Sequence, residues 1–163
     1  MNFHSITAQD TALLKMAWAE AQKTDDPKAR VDTRAAVGAV IFRDGRILAK
    51  SANRLPPSIR GSYKIRSAIA EERYHFLEHA ERCAIHDGAL AGESLKGATI
   101  YCTRFPCSDC ARAIVYSGIE RIVVPTGFSK EAGWMQSQRF ALQLFRLSDV
   151  TVRYLPAADS AEG

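Results

Sequence analysis

From residue 98 to residue 155 the chain alternates short β-branched runs with longer amphipathic ones, and this limits the possible folds more than any other feature. Residues 98–103, 119–124 and 150–155 read as strands, with helices predicted over 107–117 and 136–147. A strand, a crossover helix and a further strand return as parallel neighbours, so this half predicts parallel pairing with helices packed on the sheet. Upstream, residues 37–42, the Asp44-Gly45 turn and residues 46–51 predict a β-hairpin. Helices are predicted over 8–23, with Thr7 as N-cap and Asp10 three residues on, and from about 78 to 91. Pro56-Pro57 and Gly61 make residues 52–66 irregular at first. The order α-β-β-α-β-α-β-α-β is that of an α/β protein, a three-layer α-β-α sandwich with a five-stranded mixed sheet. No repeat, low-complexity tract or linker divides the chain, so residues 1–163 read as one domain with a flexible tail from about 156.

The chain is 47% hydrophobic and 25% charged, which excludes disordered and fibrous classes and leaves no run long enough to span a membrane. Met1-Asn2-Phe3-His4-Ser5 is neither basic nor followed by an apolar stretch, so no signal peptide and a cytoplasmic location are expected. Twenty-two basic against 18 acidic residues give a net charge of +4, which permits an anionic partner without requiring one. Lys50, Arg54, Arg60, Lys64 and Arg66 occupy residues 50–70 with no acidic residue between them. That stretch reads as a solvated loop or as a phosphate-facing flap, with Arg54 and Arg60 as possible phosphate contacts.

Four cysteines, at 83, 102, 107 and 110, accompany no export signal, so metal binding, redox chemistry or burial must explain them. Cys102 on its predicted strand and Cys83 two positions beyond Glu81 read as packing residues, and His75 and His86 as surface residues. Pro106-Cys107-Ser108-Asp109-Cys110 joins a strand to a helix. A Cys-x-x-Cys pair in a helix's first turn sits among free N–H groups at the positive end of the dipole, which favours thiolate. By itself the pair fits a redox motif as well as a metal site. His79-Ala80-Glu81 at the head of another helix adds an imidazole and a carboxylate. One imidazole and two thiolates leave zinc a position open to water, where a nearby carboxylate can act as general acid and base.

The combined His-x-Glu and Pro-Cys-x-x-Cys pattern resembles the cytidine and deoxycytidylate deaminase superfamily, nearest to its deoxycytidylate branch. The resemblance runs from about residue 25 to 124, through the hairpin, Glu78-His-Ala-Glu-Arg-Cys-Ala-Ile85 and Gly97-Ala-Thr-Ile-Tyr-Cys-Thr-Arg-Phe-Pro-Cys-Ser-Asp-Cys-Ala111. It implies that His79, Cys107 and Cys110 bind Zn2+ and that Glu81 shuttles protons. Asn53, the backbone of Ala80 and Cys107, and residues Thr103, Arg104 and Phe105 would meet the substrate, with Phe105 as a wall for the base. Where deoxycytidylate deaminases often carry Asn-Gly-x-Pro, this chain has Asn53-Arg54-Leu55-Pro56. Trp134 follows Gly133 in an expected loop that could cap the pocket.

The expected activity is hydrolytic, zinc-dependent deamination of a nucleobase-containing small molecule, foremost a cytosine monophosphate of the dCMP type. A free base or nucleoside (cytosine, cytidine, guanine) is the alternative substrate. The alternative functions are tRNA editing, disfavoured by the short acidic tail, and a zinc or redox protein without activity. The resemblance also implies a homo-oligomer, with neither nucleic acid nor membrane as partner.

Overall fold

The computed structural model of the protein describes residues 6–156. The readings made for residues 1–5 and for the tail beyond 156 lie outside the described residues. Helix α1 (Ala8–Ala21) starts where expected, because Thr7 Oγ1 accepts the Asp10 N–H at 3.1 Å while Asp10 Oδ2 accepts the Thr7 N–H at 2.9 Å. Two 3₁₀ turns, Pro27–Arg30 and Thr33–Ala35, lead into strands β1 (Gly38–Arg43) and β2 (Arg46–Ala52). Their turn residues Asp44 and Gly45 have φ of 51° and 78°, the left-handed pair that a two-residue hairpin requires. There follow α2 (Pro57–Arg60), α3 (Glu72–Phe76), α4 (Ala80–Leu90), β3 (Thr99–Cys102) and α5 (Ser108–Tyr116). The described chain closes with β4 (Arg121–Pro125), α6 (Ala132–Leu147) and β5 (Thr151–Leu155).

The five strands lie in the order β2-β1-β3-β4-β5. β1 runs antiparallel to β2 and β3, whereas β3, β4 and β5 are parallel, which is the expected mixed sheet. Period-2 alternation divides the buried strand residues between two faces. Ala39, Ile41, Ile100, Cys102, Ile122 and Val124 pack with residues of α4, α5 and α6. Val40, Tyr101 and Val123 pack under α1 with Leu13, Leu14 and Ala17. At Gly38 a Cβ would stand 2.0 Å from the Ala17 carbonyl oxygen, so glycine lets α1 lie directly on the hairpin. No helix among the described residues is long and apolar enough to cross a membrane.

Two boundaries move in ways that matter for the site. α4 begins at Ala80 and not at 78, because Arg54 and Glu78 exchange backbone hydrogen bonds of 3.1 and 2.9 Å that keep the chain extended up to His79. α6 begins at Ala132 and not at 136, which puts Trp134 in its first turn instead of a loop. The stretch expected to be irregular contains α2, with Pro57 at its first position, where a missing N–H removes no bond.

A buried polar contact ties α1 to the sheet. Asp10 accepts hydrogen bonds from Arg121 Nη1 and Nη2 at 2.7 and 2.9 Å and from the Tyr101 hydroxyl at 2.9 Å. Burial pushes the Asp10 pKa up, but Arg121 and the other donors outweigh it and hold the carboxyl well below the usual carboxylate range. Asp10→Ala leaves Arg121 without its counter-ion and should reduce the unfolding free energy by about 3 kcal/mol at neutral pH. A carboxyl with a depressed folded pKa stabilises above its unfolded pKa and loses that contribution as pH falls towards the folded one. The gap between the two proteins should therefore shrink below about pH 4, and urea unfolding across pH checks both statements.

Candidate active site

Two helix starts meet on the face covered by α4, α5 and α6. His79 is the N-cap of α4 and Cys107 the N-cap of α5, so Glu81 and Cys110 fall in the first turns. His79 Nδ1 lies 3.6 Å from Cys107 Sγ and 3.4 Å from Cys110 Sγ. One ligand atom from each of the three residues falls within 4.8 Å of the others. Zinc with tetrahedral bonds of 2.0–2.3 Å to nitrogen and sulfur separates those ligand atoms by roughly 3.6 Å, so the cluster fits zinc. Its electrostatics suit a cation as well. The hydrogen bond from Cys110, and then His79, hold the Cys107 thiol down at about 4, while Cys107 raises His79 to about 9. Cys110, bonded to that thiolate and buried, is pushed well up. One imidazole nitrogen and two sulfurs brought this close together are a donor set of the kind that zinc takes.

Glu81 is only 4% exposed, and its Oε2 accepts the Cys110 thiol at 3.6 Å. Burial raises its pKa above the usual carboxylate range, partly offset by the charge on His79. His79, Ala80, Glu81 and Cys107 line a cavity of about 250 Å³, together with Asn53, Arg104 and Phe105. Trp134 stands at the rim, 44% exposed, with its ring 5.9 Å from that of His79.

Other expected site residues are placed differently. Thr103 does not line the cavity; its Oγ1 accepts the Gly38 N–H at 3.0 Å and it closes the β1–β3 ladder as a buried residue. Arg54 pairs with Asp87 on α4, and Arg60 donates to Asp25 at 2.8 Å and to the Lys23 carbonyl at 2.9 Å. Neither arginine lines the cavity, since each has been drawn to a carboxylate elsewhere. Asn53 does line it, yet its amide is occupied, accepting from the Val37 N–H and donating to the Ala35 carbonyl at 3.0 Å each. Phe105 packs edge-on against Phe128 at 4.9 Å and near Tyr154 and Phe145, so its ring anchors the wall. Cys83 and Cys102 are buried, His75 and His86 exposed, and none joins the metal cluster.

The cavity also holds residues that sequence reasoning missed. Lys28, Asp32 and Arg34 come from the 3₁₀ turns, whose irregular backbone offers no period from which to place a side chain. Arg73 of α3 grips Asp26 with two bonds of 2.6 and 2.7 Å and pins that wall. Gln138 of α6 is buried and donates to the Phe105 carbonyl while accepting from the Ser129 N–H, both at 2.7 Å. A lone polar residue on the inner face of an amphipathic helix was its available signal.

A profile of the cytidine and deoxycytidylate deaminase zinc-binding region matches residues 7–126. Deoxycytidylate deaminase of Mycobacterium phage D29 is 34% identical over 125 residues, covering 71% of this chain and 93% of that one. Deoxycytidylate deaminase of Enterobacteria phage T2 is 47% identical over 70 residues, 42% of this chain; the chain thus spans only 37% of that relative's length. The crystal structure of dCMP deaminase from cyanophage S-TIM5 in complex with dCMP and dUMP superposes with a TM-score of 0.71 at 22% identity, covering 93% of this chain and 100% of that one.

Gln138→Ala leaves a buried carbonyl and a loop N–H unpaired, and should cost about 1–3 kcal/mol in a thermal or urea melt. Elemental analysis should find one zinc per chain, lost in Cys107→Ala and kept in Cys83→Ala; two ions per chain, or mainly iron, would contradict the assignment.

Proposed function

The chain belongs to the family of cytidine and deoxycytidylate deaminases defined by this zinc-binding region, its cofactor is zinc, and we propose that it hydrolyses a cytosine nucleotide of the dCMP type to the uracil nucleotide and ammonia. The observation that carries the reading is the buried carboxyl of Glu81 at the same cavity as the His–Cys–Cys cluster. A site that only held metal for stability would have no use for a buried acid beside it. A purely redox Cys-x-x-Cys would not place an imidazole 3.4 and 3.6 Å from its two sulfurs.

His79, Cys107 and Cys110 would hold the zinc. Bound there, zinc supplies Lewis acidity that makes water acidic enough to lose a proton near neutral pH. Glu81 accepts that proton, and its burial, by raising its pKa, makes it able to hold and release one. As the water oxygen bonds to the amine-bearing ring carbon, Glu81 passes the proton to the adjacent ring nitrogen. The second proton of the water travels by the same carboxyl to the exocyclic amine, the carbon–nitrogen bond breaks, and ammonia leaves a ring carbonyl behind. Ala80 and Cys107 stand at helix starts, where backbone N–H groups have no intrahelical partner, and these orient the polar edge of the ring. Asn53 holds the wall opposite by fixing the backbone at residues 35 and 37. The cavity of about 250 Å³ is larger than a six-membered heterocycle alone, so it has room beside the ring for more of a nucleotide.

Glu81→Gln should fold and keep its zinc while turnover falls by roughly 100-fold or more. The assay is ammonia release from a panel of cytosine, deoxycytidine, dCMP, guanine and an adenosine-containing RNA hairpin. Near-normal turnover in Glu81→Gln, or release only from a substrate other than a cytosine nucleotide, contradicts the reading.

A further inference from the structure

Four cationic side chains line the cavity: Lys28, Arg34, Arg73 and Arg104. Two are neutralised within the protein. Arg34 holds Asp32 through bonds of 2.9 and 3.2 Å, and Arg73 holds Asp26 at 2.6 and 2.7 Å. Lys28 and Arg104 have no ion pair among the described residues. Glu131, also on the lining, acts on Arg104 through its charge without forming a salt bridge to it.

Arg104 is further distinguished by its Nε, which is buried and has no hydrogen-bond partner among the described residues. The same is true of the Nε atoms of Arg54 and Arg153, but of the three residues only Arg104 lines the cavity. Burial, with repulsion from Arg34, also makes the guanidinium less comfortable as a cation than it would be in water. A buried N–H without an acceptor is unfavourable, and Arg104 lines the cavity with no internal ion pair among the described residues, so its guanidinium is free to meet a ligand there. A guanidinium edge presents two parallel donors that match two oxygens of a phosphate. A neutral base or nucleoside has no group needing two unpaired cations, whereas a monophosphate carries close to two negative charges at pH 7.

We propose that Arg104, assisted by Lys28, is the residue that binds the phosphate of the substrate and makes this site prefer a nucleotide over a nucleoside. The assignment rests on the nucleotide deaminase reading and specifies it. It moves phosphate recognition from the basic 50–70 stretch, whose Arg54 and Arg60 hold Asp87 and Asp25, to the loop that leads from β3 to Cys107.

The test is calorimetric binding of dUMP, deoxyuridine and inorganic phosphate to zinc-loaded protein, with KM and kcat for dCMP and deoxycytidine alongside. Wild type should bind dUMP more tightly than deoxyuridine. Arg104→Ala should weaken dUMP by roughly 10- to 100-fold, the scale of losing a charged hydrogen-bonding group. Binding of deoxyuridine should stay unchanged, and the loss with dCMP should appear in KM. Lys28→Ala should give a smaller loss of the same kind, and Arg104→Lys, which keeps charge without the fork, an intermediate one. Arg46→Ala, a surface residue paired with Glu93, is the control and should leave every constant unchanged. Zinc content and circular dichroism establish that each variant is folded; should Arg104→Ala fail to fold, Arg104→Lys and Lys28→Ala carry the test. If wild type prefers dUMP and the variants keep that preference, or lose both ligands equally, the assignment to Arg104 is overturned while the nucleotide reading stands. If wild type binds deoxyuridine as tightly as dUMP, the nucleotide reading falls and this proposal with it.

Discussion

The approach of His79 Nδ1 to the two sulfurs at the head of α5 is the constraint on which the rest of the site depends. His79 precedes Cys107 by 28 residues and Cys110 by 31, so their meeting requires two separate helix starts to coincide. Each start is set locally. The backbone exchange between Arg54 and Glu78 holds the chain extended until His79, and Pro106 precedes the cap at Cys107. Small buried residues, Ala80 and Ala84 on α4 and Ala111 on α5, let the helices pack closely on the sheet. With α4 beginning at Ala80, Glu81 falls in the first turn, where its carboxyl is buried beside Cys110.

The charges around the cavity fall into two groups with different effects. Asp26 with Arg73 ties the first 3₁₀ turn to α3, and Asp32 with Arg34 closes the second turn on itself, each through two hydrogen bonds. Gln138 does the same for the segment carrying Phe105, fixing its carbonyl to α6. Of the cavity charges left outside these pairs, Glu81 by burial and Arg104 by a buried, unsatisfied Nε are in unfavourable surroundings. Groups in such surroundings are commonly functional, because the arrangement that makes them reactive is one that stability alone would remove.

The opposite face of the sheet holds no part of this chemistry. There α1 lies on Val40, Tyr101 and Val123, close enough that Gly38 cannot carry a side chain, and its first turn is tied through Asp10 to Tyr101 and Arg121. The same strands serve the helices that hold the site, since their alternating residues form both cores.

The elements and their order were legible in the sequence because hydrophobic period, turn chemistry and helix caps are properties of neighbouring residues. The Asp44-Gly45 turn, the Thr7–Asp10 cap and the alternation after residue 98 all concern groups within one or two turns of chain. The two motifs were legible as helix starts for a similar reason, but that His79, Cys107 and Cys110 meet beside Glu81 was what the family resemblance implied. What the sequence could not decide is where the charged side chains go. Arg54 and Arg60 read as part of a solvated loop or of a phosphate-facing flap, and their partners Asp87 and Asp25 lie 33 and 35 residues away. Thr103 looked like a pocket residue, but its partner Gly38 is 65 residues away. Long side chains find acids across the fold according to proximity that only packing creates, so the tertiary structure alone left Arg104 and Lys28 lining the cavity without an ion pair among the described residues.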